Sequence, residues 1–117
     1  MSKIAGIARI TMDGELLESL PGAELDLGGK EREMVSGHSV YGYKEKVVPA
    51  MLTCTIVWKN ETPVEEIRDH VDGLILFEAD NGITYKVSNS VCTKTVKVKD
   101  ESGEVTLEFG GNPAKAQ

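Results

Sequence analysis

Two histidines, His38 and His70, are the only imidazoles in the chain. Neither has a cysteine or carboxylate at the spacing that would make a zinc site. Neither sits in a nucleophile or general-base motif, so both are expected at solvent or at an interface. Glu31, Glu33 and Glu45, or Glu65 and Glu66, supply paired carboxylates of the kind used for acid–base work, but charged residues on exposed faces explain them more simply. Gly28-Gly29 is not followed by a helix pattern that would present backbone amides to phosphate, so a turn is the better reading. Tyr41 and Tyr43 bracket Gly42 beside Lys44 and Lys46, an arrangement that can stack on bases. Nineteen acidic against thirteen basic residues leave a net charge of -6, which repels phosphate. Aromatics that anchor a partner subunit are the more economical reading of the pair, because tyrosine is enriched at protein interfaces. No catalytic, metal or cofactor constellation emerges, and what remains is a problem of surfaces.

The elements that position these residues read as mostly β. Ala8, Ile10 and Met12 alternate with Arg9 and Thr11, the period of a strand with one buried face, over about 6–12. Asp13-Gly14 then suits a tight hairpin turn, and Glu15 to Leu17 begins the return. Ala23, Leu25 and Leu27 mark a short strand before Gly28-Gly29. From Lys30 to Lys46 the sequence is polar, carries two glycines and follows no hydrophobic period. It is expected to be a long loop, and a loop of this length in a small domain usually has a job. Val47 to Trp58 reads as one long strand with Leu52, Cys54, Ile56 and Trp58 on a shared face. Thr62-Pro63-Val64-Glu65 reads as a capped helix start, with the helix over about Pro63 to Asp72.

Leu74 to Asp80, Asn81-Gly82 and Ile83 to Ser88 form a hairpin pattern. Val91 to Lys99 and Glu104 to Gly110 form another, with Val96 and Val98 expected inside. Gly111 to Gln117 is expected to be mobile unless a neighbour orders it. The sum is roughly six or seven strands and one short helix in a β-sandwich or partial barrel. Cys54 and Cys92 read as reduced, buried small hydrophobes, with a disulfide as the alternative. At 117 residues the chain is expected to be one domain. It shows neither an apolar run long enough to cross a bilayer nor a secretory h-region, so cytoplasmic synthesis is the default. Several hairpins leave open sheet edges, from which an oligomer of unspecified symmetry is expected.

The order of these signals resembles that of the tail tube proteins of Mu-like contractile phages. Four segments carry the resemblance: Ile4-Ala5-Gly6 leading to Asp13-Gly14; Gly28-Gly29 before Glu31-Arg32-Glu33; Gly42-Tyr43-Lys44-Glu45; and Asn81-Gly82-Ile83-Thr84-Tyr85, followed by Phe109-Gly110-Gly111. The region from Ala50 to Asp72 matches least. The resemblance implies a non-enzymatic virion protein without cofactor, assembled in the host cytoplasm as stacked hexameric rings around a lumen. It implies as partners other copies of the chain, the tail sheath, a baseplate or tube initiator and a tail terminator, with DNA passing through without specific binding. It further implies that the loop over about 30–46 reaches adjacent subunits. Glu31, Arg32, Glu33, His38, Tyr41, Gly42, Tyr43, Lys44 and Glu45 become the expected subunit interface. Thr84, Lys86, Thr106 and Glu108 are polar positions suited to a lumen wall, none of them assigned to it. The tube of a phage-derived bacteriocin or an Hcp-like secretion tube fits the same pattern, and a monomeric β-sandwich binding module is the reading from a different class.

Overall fold

The computed structural model describes residues 6–117. The strands are β1 (Ala8–Met12), β2 (Glu15–Leu17), β3 (Glu24–Asp26), β4 (Gly29–Ser36), β5 (Val40–Val48), β6 (Ala50–Val57), β7 (Gly73–Ala79), β8 (Thr84–Cys92), β9 (Lys97–Lys99), β10 (Glu104–Gly111) and β11 (Lys115–Ala116), with one helix, α1 (Val64–Arg68), between β6 and β7. The start of the first strand expected at Gly6 is observed at Ala8.

The main sheet runs β2-β1-β7-β8-β10-β6-β3, antiparallel throughout. Its two ends are drawn together by the chain itself. Leu17 pairs with Ile10 on β1; one residue later the Glu18 carbonyl accepts the Val57 N–H at 3.0 Å, and the Leu20 N–H donates to the Thr55 carbonyl at 2.8 Å. Ser19 bridges Ile56 on β6. The segment from Glu15 to Asp26 thus changes partner from β1 to β6, and the sheet closes into a small barrel. Strand β8 bends to serve both halves, pairing β7 over most of its length and β10 at Val91 and Cys92, with Asn89 at a φ of 50°.

Alternation along each strand fills the barrel. Ile10, Met12, Leu17, Leu52, Cys54, Ile56, Ile75, Val87, Val105, Leu107 and Phe109 all point inward and are buried. Burying each large aliphatic or aromatic chain contributes roughly 1.5–3 kcal/mol. Ile67, fully buried, is the residue by which α1 plugs one end. Both cysteines are free, Cys54 buried and Cys92 half-buried. Burial pushes the Cys54 thiol up to about 12.

Several boundaries differ from the sequence reading for local reasons. The expected strand from Val47 to Trp58 breaks at Pro49, which has no N–H for a ladder, so Val48 ends one strand and Ala50 begins another. Trp58 lies past the end of β6 and is 41% exposed rather than part of the inward face. The helix stops at Arg68, short of Asp72, which adopts a φ of 49° where the chain turns into β7. Pro63 occupies the N-cap position without a side-chain bond. The Thr62 hydroxyl does not cap the helix; it accepts the Lys59 N–H at 2.8 Å and donates to the Val57 carbonyl at 3.1 Å. Thr93 to Val96 leave the ladder between β8 and β9. Val98 is exposed on β9 rather than inside, while Val96 does pack on the core. In the 80–83 turn only Gly82 has positive φ. The tail expected to be mobile is tied down: the Ala114 N–H donates to the Leu27 carbonyl at 2.8 Å, and Lys115 and Ala116 pair with Lys86 and Tyr85 on β8.

Candidate subunit interface

Strands β4 and β5 form a separate two-stranded sheet that pairs with no other strand among the described residues. The segment expected to be a loop is therefore a β-hairpin, referred to below as the arm. Every residue of β4 and β5 is exposed except Gly29, Gly42 and Val48, which are half-buried. A strand with both faces in water carries no hydrophobic period, which is why period-two reading fails on it. The radius of gyration is 16.9 Å, against about 13 Å for a compact domain of this length. An extended hairpin with strands of eight and nine residues, about 27–31 Å long at about 3.4 Å per residue, accounts for the excess.

The arm leaves the barrel through a constrained root. Gly28 has a φ of +67°, and a Cβ there would stand 2.6 Å from both the Pro49 carbonyl carbon and the Val48 oxygen. Only glycine satisfies both the conformation and the contact. The Asp26 carboxylate accepts the Gly28 N–H at 3.0 Å. Close packing of Gly28 against the Val48–Pro49 peptide fixes where the two strands diverge from the body.

Register sorts the arm into two unlike faces. Directly opposed residues in an antiparallel pair share a face. Glu31 opposes Lys46 and Glu33 opposes Lys44, giving one face of alternating charge. On the other, Lys30 opposes Val47, Arg32 opposes Glu45 and Met34 opposes Tyr43. Here the Glu45 carboxylate lies 3.7 Å from Lys30 Nζ and 3.9 Å from Arg32 Nε. The Arg32 guanidinium sits 6.0 Å from the centre of the Tyr43 ring. Exposed pairs of this kind contribute about 0–1 kcal/mol, so they orient the face more than they stabilise it.

Of the residues singled out from the sequence, Arg32, Tyr43 and Glu45 gather on the mixed face. Glu31, Glu33 and Lys44 lie on the charged one. His38 sits in the turn between Gly37 and Ser39, whose backbone closes with a 2.9 Å hydrogen bond. The Tyr41 ring packs over Gly37, where a Cβ would come within 2.8 Å of it. The register slips between Val35 and Ser36, setting Val35 opposite Gly42 and Ser36 opposite Val40. Sequence reasoning passed over Lys30, Met34, Val40 and Val47, of which Met34, Val40 and Val47 are each more than 60% exposed. The signal that was available is the strict alternation of charge in Lys30-Glu31-Arg32-Glu33.

His70 departs from its expected solvent or interface position. It is 6% exposed, with Nε2 2.7 Å from the Ser90 hydroxyl oxygen, Nδ1 3.4 Å from an Asp13 carboxylate oxygen, and the ring edge-on to Phe109 at 5.5 Å. The other Asp13 oxygen accepts the Leu74 N–H at 2.8 Å. Serine, histidine and aspartate are the residue types of a hydrolytic triad, but Ser90 is fully buried, so no substrate carbonyl can reach its hydroxyl. The cluster instead clips the end of α1 to the β1–β2 turn, to β7 and to β8. On the outer face of β10, the Thr93 hydroxyl, 2.7 Å away, and Lys94, 3.3 Å away, hold the Glu108 carboxyl below its usual range. No group of three or more potential metal ligands occurs among the described residues.

The described residues give a closed barrel that carries a solvated arm. The comparisons with known proteins identify its family. The family model described as phage tail tube protein matches residues 1–116. The chain is 35% identical over 114 residues to the Mu-like prophage FluMu tail tube protein of Haemophilus influenzae, covering 97% of this chain and 96% of that protein. It is 34% identical over 110 residues to the tail tube protein of Escherichia phage Mu, covering 94% and 92%. Among solved structures it matches the tube-terminating cap of the anti-feeding prophage, with a TM-score of 0.67 at 12% identity over 94% of this chain and 87% of that one. It also matches a chain of the sheath–tube complex of an extracellular contractile injection system in its extended state, with a TM-score of 0.65 at 12% identity over 100% and 91%. At those identities the structural likeness speaks for the fold. The chain belongs to the phage tail tube protein family.

Proposed function

We propose that the protein is a non-enzymatic virion component that stacks as hexameric rings into the tube of a contractile phage tail, assembled in the host cytoplasm, with a lumen through which DNA passes. The observation that carries this reading is the arm, whose strands bury almost nothing within their own chain and gain a role only against a neighbour. Glu31, Arg32, Glu33, His38, Tyr41, Gly42, Tyr43, Lys44 and Glu45 then belong to a subunit contact. A tail sheath, a baseplate or tube initiator and a tail terminator are its other partners. Identity of 34–35% to tail tube proteins of Mu and a Mu-like prophage, against 11–12% to the injection-system chains, favours the phage over a bacteriocin or secretion tube.

Transit of a duplex needs a wall without affinity for phosphate, because each neutralised phosphate adds salt-dependent binding. The net charge of -6 suits such a wall. Negative-stain electron microscopy of the purified protein at high concentration tests the reading. Six-fold rings or hollow tubes wide enough for a duplex are expected. Monomers alone, both with and without a tail initiation complex, would overturn it.

A further inference from the structure

We propose that the mixed face of the arm, led by Met34 and Tyr43, docks into the open mouth of the barrel of a second copy of this chain. The proposal rests on the tube-subunit reading above and assigns the contact to a place. The two ends of the barrel differ. One is plugged by Ile67 and clipped by His70. The other, where β1 begins and β7 ends, opens into a cavity of about 250 Å³ whose walls include Ile7, Ala8, Leu20, Pro21, Phe77 and Ala79. No charged residue lines it among the described residues, and Ile7 at its edge is 73% exposed. The volume lies below the roughly 300–1,000 Å³ of a small-molecule site, and a few apolar side chains match it better.

The arm offers such side chains. Met34 is 62% and Tyr43 59% exposed on the same face, and methionine and tyrosine are residue types enriched in interface cores. Charge supports a second copy as the occupant. The arm carries Lys30, Arg32, Lys44 and Lys46 against Glu31, Glu33 and Glu45, a net of one positive charge, on a chain whose total is -6. The rest of the chain is therefore more acidic than the whole. Glu24 directly follows the lining residue Ala23, while Lys30, Arg32 and Glu45 share the face of Met34 and Tyr43, which leaves that face a net positive charge. Because the inserting and receiving surfaces are different parts of one molecule, the contact is heterologous. It repeats from copy to copy, closing as a ring or continuing as a stack.

The test uses the full chain in two defective forms. The arm variant is Met34→Asp with Tyr43→Asp; the mouth variant is Ala79→Trp. Each is expected to raise the critical concentration for assembly by at least about ten-fold, as loss of a central anchor does, with an unchanged circular dichroism spectrum. Mixed together they should restore the contact only between unlike copies, read as cross-linking of the arm variant to the mouth variant, since one sound arm and one sound mouth remain. Ile7→Asp, at a position already open to water, replaces Ala79→Trp if the latter fails to fold. If wild type builds tubes and the arm or mouth variant does so equally well, the docking proposal is wrong and the tube reading stands. Mixtures in which the two variants do not cross-link to each other, beside an assembling wild type, also overturn it. A wild type that never assembles removes the tube reading itself.

Discussion

The barrel and the arm are built from strands of similar length by opposite means. In β6 and β10 every second residue is apolar and buried, and facing strands interlock around Phe109. In β4 and β5 the alternation is of charge, and Met34 and Tyr43 are exposed. Burial stabilises the first; local pairing and a fixed root hold the second. The contrast shows that regular backbone structure and contribution to stability are separable, and that a protein can hold an ordered element in reserve for a neighbour.

The sharpest way to break the comparison is to attack the core. Phe109→Ala removes a fully buried ring and is expected to lower unfolding free energy by about 3–5 kcal/mol, read as a shift of the urea midpoint. A loss of less than about 1 kcal/mol would mean that the barrel is not the stable unit. His70→Leu tests the clip between barrel and helix. It leaves the buried Ser90 hydroxyl without its partner and is expected to cost about 1–3 kcal/mol without changing how the arm behaves. The smallest effect on stability comes from the largest cut. Deleting Glu31 to Tyr43 removes most of the arm, whose exposed pairs contribute about 0–1 kcal/mol each. The shortened chain is expected to fold, with a nearly unchanged midpoint, and to build no tubes. Unfolding of the deletion would place the arm in the core and erase the distinction.

Legibility in the sequence followed the same division. Strands β1, β7, β8 and β10 were readable because each has one face in the core and a turn signal beside it, Asp13-Gly14 for β1, Asn81-Gly82 for β7 and β8, and Asp100-Glu101-Ser102-Gly103 for β10. The arm was legible as a place of interest but not as a hairpin, since water on both faces removes the period that strand reading depends on. The His70 cluster was hidden for another reason. Asp13, His70 and Ser90 lie far apart in the chain, and no local pattern announces that a barrel end will bring them together. The tail misled because it has little apolar content, yet two backbone pairs to β8 and one hydrogen bond from Ala114 hold it.

The way the barrel closes also sets an order of events in time. The arm pairs residues at most about twenty positions apart, whereas β1 must wait for β7, with Ala8 opposite Ala79. Local hairpins form in about 1–10 μs, and pairing of distant strands is far slower. The arm is therefore expected to form first and the barrel mouth last, so a chain emerging from the ribosome offers a contact before it can accept one.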